Sequence, residues 1–239
     1  MNKINKIPWT KIMWFSLLLI FCVAVSGVVS FSFSYRQPLD VESLIFSVAQ
    51  LRAEFASTEE ESNASAFLID DSGYMFTNFH ALSIDEEDDS FELANNVLVK
   101  FPDQINYLTA DIIKYDKTLD IALIRCGTLT SRKYLKFSNK ELSYGQKCYA
   151  IGNSNNQGIG VMEGIISIPE INIIVNQETQ SYIQANIDIY PGSSGGCLLN
   201  DEGGIIGMTS FRLKNSSNEP IYGYGYSVPF SRLQTFLKN

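Results

Sequence analysis

The sequence predicts an all-β protein built as two packed barrels behind an apolar N-terminal segment. Short apolar or alternating runs recur through residues 51–228, and turn signals such as Asp71-Ser72-Gly73 separate them. These predicted strands are too many for one small barrel, so two barrels are the economical arrangement. A chain of 239 residues is long enough for one large domain or two small ones.

The first element is an uncharged apolar segment at residues 12–33. It is long enough to cross a bilayer as a helix, and three lysines within residues 1–11 predict a cytoplasmic N-terminus. Residues 34–239 then form one exported domain. A cleaved signal peptide is the alternative, with Ala24-Val25-Ser26 as the cleavage site. The apolar run continues past that site, which favours a retained anchor, and under both interpretations the folded domain is extracytoplasmic.

Helical periodicity predicts a short helix at Leu39–Gln50, and a second short helix closes the chain at Ser231–Lys238. The predicted strands between them are Leu51–Ala56, Ser65–Asp70, Tyr74–Thr77, Asn96–Phe101, Leu108–Tyr115, Ile121–Cys126, Lys147–Ile151, Gly164–Ile168, Asn172–Asn176, Tyr182–Ile187, Cys197–Asn200, Ile205–Ser210 and Tyr222–Val228.

The net charge argues against one class of function, and the cysteine content bears on the number of disulfide bonds. The net charge is −8, and it becomes −11 without residues 1–33, which hold three lysines and no acidic residue. Nucleic-acid binding is therefore not expected, because phosphates would be repelled. Cys126, Cys148 and Cys197 allow at most one disulfide, and their apolar neighbours predict buried free thiols instead.

Three residues in the order His–Asp–Ser carry the predicted chemistry. His80 is the only histidine, Asp120 precedes an apolar strand, and Ser194 lies in the turn Pro191-Gly192-Ser193-Ser194-Gly195-Gly196. A histidine can take the proton of a serine hydroxyl at neutral pH, and an aspartate can fix its tautomer. Each residue alone also fits a structural role, and two nearby aspartates rival Asp120. Their order and local contexts together predict a catalytic triad.

The glycine-rich turn also predicts an oxyanion hole. The amides of Gly192 and Ser194, with Ser193 between them, can point at the oxygen that becomes negative during attack. This chemistry uses no metal and no cofactor, so neither is predicted.

These motifs resemble the trypsin-like serine proteases, most closely the HtrA/Deg group, over about residues 40–238. Residues 67–80 resemble the stretch that leads into the catalytic histidine, 116–124 the aspartate motif, 184–196 the serine motif and 223–229 the last strand. The resemblance implies two six-stranded antiparallel barrels, the trypsin/chymotrypsin-like fold. It also implies an endopeptidase that cuts unfolded or exposed segments of envelope proteins through an acyl-enzyme. Its expected location is the bacterial inner membrane, with the catalytic domain in the periplasm.

The resemblance further implies roles for substrate-binding residues. Ile189, five residues before Ser194, would line the pocket for the side chain preceding the cut and favour a small or medium apolar residue. Asp188 has the spacing of the acid in trypsin itself, and it would favour a basic residue. Strand alternation lets only one of the two face inward, and Ile189 is favoured. Tyr226, Ser227 and Val228 would pair with the substrate backbone as an added strand.

The chain departs from the family at several points. Ser193 stands where the family usually has Asn, and no PDZ domain is expected after the protease. Relatives form trimers through their N-terminal segments, so a homotrimer with contacts from Phe31, Phe33 and Tyr35 is an expectation here. The acidic loop 84–95 is interpreted as a solvated loop, with attraction of basic substrates as the sharper hypothesis. A latent or non-catalytic peptide-binding module on the same fold is the alternative function.

Overall fold

The structure of the protein is a computed structural model. It describes residues 9–34, 39–85, 90–129, 131–175 and 178–238, with the backbone alone at 11–12 and 27–34. The chain divides into two units, Met1–Pro38 and Leu39–Asn239. Within the predicted acidic loop at 84–95, residues 86–89 lie outside the described residues.

The first unit contains one helix, α1 (Trp9–Ser34). Across the described residues, however, the structure has no helix whose length and apolar character would suffice to cross a membrane. The predicted transmembrane segment at 12–33 is therefore not supported. Phe31, Phe33 and Tyr35 lie outside the described side chains, so the trimer stays a prediction.

The second unit begins with a short helix, α2 (Val41–Ile45), and the first barrel follows. The strands of this part are β1 (Val48–Glu54), β2 (Glu61–Leu68), β3 (Tyr74–Thr77), β4 (Ser83–Asp85), β5 (Phe91–Leu93), β6 (Asn96–Lys100), β7 (Leu108–Asp116) and β8 (Ile121–Arg125). Six of them close in the order β1-β2-β3-β8-β7-β6, while β4 and β5 form a separate hairpin.

The second barrel and a closing helix complete the unit. Their elements are β9 (Lys147–Gly152), β10 (Gly160–Val175), β11 (Glu178–Ala185), β12 (Cys197–Asn200), β13 (Ile205–Phe211), β14 (Gly225–Pro229) and α3 (Phe230–Lys238). The strands close in the order β10-β11-β14-β13-β12-β9, all antiparallel. Two closed six-stranded antiparallel barrels confirm the predicted fold class.

The apolar run of β8 shows why the two barrels pack together. Ala122 and Ile124 are buried in the core of the first barrel. Ile121 and Leu123, on the opposite face of the strand, belong to a cluster that also holds Ile151 and other residues of the second barrel. A strand buried on both faces needs apolar residues at every position, and β8 therefore fixes one barrel against the other.

Three element predictions need correction. The helix predicted at Leu39–Gln50 ends at Ile45, because from Val48 onward the backbone pairs with β2 instead. The β4–β5 hairpin was not predicted, since three-residue strands give too little alternation to be recognised. The strands predicted at 164–168 and 172–176 are one long strand, β10, with register shifts between them.

The predicted state of the cysteines is confirmed. Cys126, Cys148 and Cys197 are free and buried. Burial raises the pKa of the Cys148 thiol to about 12 and also raises the pKa of Cys197. Both groups stay protonated at neutral pH, so they pack as small apolar side chains and are not nucleophiles.

Candidate active site

His80 lies in a 3₁₀ turn, Phe79–Ala81, directly after β3. The turn is anchored by Phe79, whose ring centroid is 5.0 Å from that of Phe91 and 5.3 Å from that of Tyr115. The β4–β5 hairpin thus supplies the aromatic ring that holds this turn. The His80 side chain remains 49 % exposed, as a residue that must meet a substrate requires.

Asp120 lies between β7 and β8 with its carboxylate aimed at His80. Its Oδ2 atom is 2.9 Å from His80 Nδ1, and Oδ1 accepts the backbone N–H of His80 at 3.0 Å. Asn78 Nδ2 and Ser210 Oγ also donate to Oδ2, at 3.0 and 2.8 Å. These donors fix both the carboxylate and the imidazole that it orients.

The backbone of Asp120 adopts a left-handed conformation, with φ of 54°. Such a conformation is uncommon outside glycine, although Asp and Asn tolerate it better than most residues. Asn78 Nδ2 donates to the Asp120 carbonyl at 2.9 Å as well as to its carboxylate. The amide of Asn78 therefore holds the main chain and the side chain of Asp120 together.

The environment of His80 favours its charged form. Burial lowers its pKa, but the negative charge of Asp120 and the hydrogen bond to it outweigh that effect, so the pKa lies above the ordinary value. A histidine tuned in this way holds a proton more firmly once it has taken one from a nucleophile.

Ser194 lies in the loop between β11 and β12 of the second barrel. Its Oγ donates to the carbonyl of Ser210 at 2.8 Å. The hydrogen bonds among described residues include none between Ser194 Oγ and the His80 ring. Ser210 thus contacts two of the three candidate residues, because its hydroxyl donates to the Asp120 carboxylate and its carbonyl accepts from Ser194 Oγ.

The loop before Ser194 has a defined peptide orientation. The Pro191 carbonyl accepts the Asn155 N–H at 2.7 Å. Because a trans peptide is planar, the N–H of Gly192 points away from Asn155. In the part of the chain that the structure describes, neither the Gly192 nor the Ser194 amide donates to an acceptor. Both predicted oxyanion donors are therefore available.

Only glycine fits at position 192. Its φ is +89°, and a Cβ there would lie 2.1 Å from the carbonyl oxygen of Asn153. Ser193, in contrast, is a side-chain anchor: it is 2 % exposed, and its Oγ is 2.8 Å from Ser154 Oγ.

Ser65, on β2 of the first barrel, ties this loop to the other half of the site. Its N–H donates to the Ser194 carbonyl at 2.8 Å, and its Oγ donates to the Gly192 carbonyl at 2.7 Å. The same Oγ accepts the Asn153 N–H at 2.8 Å. Sequence reasoning assigned no role to Ser65, Asn78 or Ser210. The signal for Ser65 was a serine directly before the apolar run Ala66-Phe67-Leu68-Ile69.

Ile189 and Asp188, the residues predicted to line the substrate pocket, lie in the loop after β11 and differ in burial. Ile189 is 5 % exposed and packs against Gly225, where an added Cβ would lie 2.7 Å from Ile189 Cγ1. Asp188 is partly buried, and its Oδ1 accepts the N–H of Gly223. The Asp188 carboxylate is thus already engaged by the protein backbone.

The prediction that Tyr226, Ser227 and Val228 pair with substrate is wrong. These residues belong to β14, which pairs with β11 on one edge and with β13 on the other. Tyr226 and Ser227 have partners on both sides, and Val228 pairs with Met208. An interior strand of a closed barrel has no free edge to which a substrate strand could be added.

Comparison with known proteins identifies the family. A sequence model of the family described as the trypsin-like peptidase domain matches residues 64–208. The chain belongs to the trypsin-like peptidase family.

Within this family the relatives are HtrA and Deg proteases, which confirms the resemblance found in the sequence. The serine endoprotease DegS of Haemophilus influenzae is 28% identical over 149 residues, covering 59% of this chain and 44% of the relative. The serine protease Do-like HtrA of Lactobacillus helveticus is 26% identical over 220 residues, covering 83% and 53%. A probable periplasmic serine endoprotease DegP-like of Chlamydia muridarum is 31% identical over 166 residues, covering 69% and 31%. The chain thus spans about half or less of the length of these relatives.

Two solved protease structures share the fold. The HtrA-type protease AlgW with a tripeptide matches with a TM-score of 0.70 at 25% identity, over 83% of this chain and 61% of that chain. The active form of the Rv3671c protease from M. tuberculosis also gives a TM-score of 0.70, at 18% identity, over 85% of this chain and 87% of that one.

Proposed function

We propose that this trypsin-like peptidase is a serine endopeptidase, with Ser194 as nucleophile, His80 as general base and acid, and Asp120 as the group that orients and stabilises the imidazole. The observation that carries the proposal is the His80–Asp120 contact of 2.9 Å, set beside a serine whose neighbouring amides are free to donate. The HtrA, DegS and DegP proteins that the chain resembles are named serine proteases, which supports the same chemistry.

The reaction begins with a rotation of one side chain. Ser194 Oγ leaves the Ser210 carbonyl and turns towards His80 Nε2, which is free because Nδ1 faces Asp120. As a substrate binds, its own backbone N–H can take the place of the serine hydroxyl on the Ser210 carbonyl. The hydroxyl is then released for attack at the moment when the scissile bond arrives.

The bond changes follow the serine-protease scheme. Ser194 Oγ attacks the substrate carbonyl carbon while its proton passes to His80 Nε2. The carbonyl oxygen becomes an oxyanion, which accepts hydrogen bonds from the backbone N–H groups of Gly192 and Ser194. The C–N bond then breaks as His80 returns the proton to the leaving amine, which leaves an acyl-enzyme on Ser194. Water repeats the sequence through His80 and releases the carboxylic acid.

The relatives named periplasmic endoproteases suggest where such a reaction takes place. We infer an extracytoplasmic enzyme that cuts unfolded or exposed segments of envelope proteins. An extended, unstructured segment suits the site, since the substrate backbone must reach Ser194 and the Ser210 carbonyl together. The buried side chain of Ile189, five residues before Ser194, supplies an apolar group next to the site.

Labelling of the purified full-length chain with a fluorophosphonate probe tests the proposal. We expect stoichiometric labelling that Ser194→Ala and His80→Ala abolish. Ser217→Ala, which removes an exposed hydroxyl from another loop, is the matched control and retains labelling. A folded wild-type chain that reacts neither with the probe nor with unfolded protein would overturn the proposal and favour the non-catalytic peptide-binding module.

A further inference from the structure

Arg212 has an unusual environment for a partly buried cation. Its Nη1 atom is buried and donates no hydrogen bond. Its guanidinium lies over two aromatic rings, 5.0 Å from the centroid of Tyr222 and 5.5 Å from that of Tyr190. No carboxylate of the described residues lies within 4.0 Å of it. Two tyrosine faces hold the group in place, but its in-plane N–H donors have no acceptor among the described residues.

The position of Arg212 links this cation to the proposed site. It follows Ser210 by two residues, and the Ser210 carbonyl contacts the Ser194 hydroxyl. Tyr190, beneath the guanidinium, directly follows Ile189 and precedes Ser194 by four residues. The guanidinium therefore bridges the two segments, 188–190 and 210–212, that lead away from the nucleophile. A substrate bound at Ser194 would therefore lie close to both segments.

We propose that Arg212 is a specificity residue that binds the carboxylate of a glutamate placed immediately before the scissile bond. The proposal rests on the proposed function and names the substrate class of that site. The two methylenes of glutamate suit apolar neighbours such as Ile189, which directly precedes Tyr190 and packs against Gly225. The glutamate carboxylate can then accept two parallel hydrogen bonds from the N–H groups of Arg212. A planar guanidinium suits this bidentate geometry best.

The same arrangement argues against a basic residue at that position. A lysine side chain would approach Arg212 and meet a like charge. Asp188 is the group that could attract it, but its Oδ1 already accepts the Gly223 N–H, and its Oδ2 is 3.5 Å from the Tyr190 hydroxyl. Tyr190, whose ring lies under the Arg212 guanidinium, thus also contacts Asp188.

The test uses quenched fluorescent peptides that differ only in the residue before the cut, which is Glu, Gln, Val or Lys. For the wild-type chain we expect kcat/KM for the Glu peptide to exceed that for the Gln peptide by about tenfold or more, as the loss of a charged hydrogen-bonded pair implies. In Arg212→Gln the Glu/Gln ratio falls to about one, and in Arg212→Glu the Lys peptide becomes better than the Glu peptide. Ratios within each variant are unaffected by any loss of folded protein.

Lys214→Gln is the matched control, because it removes one positive charge two residues further along, from an exposed side chain. We expect it to keep the wild-type Glu/Gln ratio. The assignment is overturned if wild type cuts the Val or Gln peptide at least as well as the Glu peptide. It is also overturned if the acidic preference falls at another peptide position or survives in Arg212→Gln. Probe labelling of Ser194 without any Glu preference rejects this inference alone, whereas absent labelling rejects the proposed function itself.

Discussion

The two halves of the proposed triad are held in different ways. His80 and Asp120 both come from the first barrel and are joined directly, with Asn78 and Ser210 adding donors to the carboxylate. Ser194 comes from the second barrel, and its hydroxyl is bonded to a backbone carbonyl instead of to the histidine. The acid–base half is therefore assembled in advance, whereas the nucleophile half needs a rotation about one bond.

The two halves of the proposed triad therefore depend on different kinds of contact. Side chains hold the acid–base pair, so single substitutions can dismantle it. Hydrogen bonds to its backbone carbonyls hold the nucleophile loop: Ser65 donates to the carbonyls of Ser194 and Gly192, and Asn155 donates to that of Pro191. Substitutions that change backbone conformation should therefore damage this half most, and four predictions test the contrast.

Asp120→Asn should have the largest effect. Asn tolerates the left-handed backbone of this position, so the fold should persist while the imidazole loses its carboxylate partner. We expect kcat to fall by about 10⁴-fold. Peptide hydrolysis and circular dichroism measure the two properties. A folded variant with nearly full activity would remove Asp120 from the site, and Asp116→Asn would then be compared.

Gly192→Ala should damage the nucleophile half through the backbone alone. The new Cβ would lie 2.1 Å from the Asn153 carbonyl oxygen, so the loop must move and displace one oxyanion donor. We expect kcat to fall by about 10²–10³-fold. Gly145→Ala is the control, since Gly145 also has a positive φ of +74° but nothing within 4 Å of an added Cβ. Equal activity losses in the two variants would contradict the proposed role of Gly192.

Ser210→Ala should separate the two halves within one residue. It removes the hydroxyl that donates to Asp120 at 2.8 Å but keeps the carbonyl that accepts from Ser194. We expect about a tenfold fall in kcat, as for one hydrogen bond to a charged group. Ser72→Ala, whose contacts with Asp70 and Arg125 use only the Ser72 backbone, should have no effect. A loss as large as that of Asp120→Asn would show that Ser210 does more than support the carboxylate.

The smallest effect is a shift in the titration of His80, which NMR can follow without ambiguity because the chain has one histidine. We expect a pKa above the ordinary value of 6.5 in wild type and below it in Asp120→Asn, where burial acts without the neighbouring charge. Because the folded pKa is raised, protonation of His80 stabilises the fold below about pH 6.5, and this contribution is lost as pH rises through the folded pKa. A wild-type value at or below 6.5 would contradict the proposed electrostatics.

Sequence patterns predicted most strands and the two-barrel fold because period-2 alternation and turn residues report local burial. They failed where local signals were weak or ambiguous. The β4–β5 hairpin has strands too short to show a period, although its Phe91 anchors the turn of His80. Resemblance placed Tyr226–Val228 beside the substrate, but pairing on both edges of β14 excludes this arrangement.

By itself, the sequence determined the strand pattern, the buried cysteines and His80, Asp120 and Ser194 as candidates, since residue type and local context carry that information. The tertiary structure decided which side chains support them. Ser65 Oγ meets the Gly192 carbonyl across 127 residues of chain, and Ser210 Oγ meets the Asp120 carboxylate across 90. It also placed Arg212 over two tyrosine rings with no acceptor among the described residues. Such contacts depend on how the closed barrels pack against each other, and no local periodicity encodes that packing.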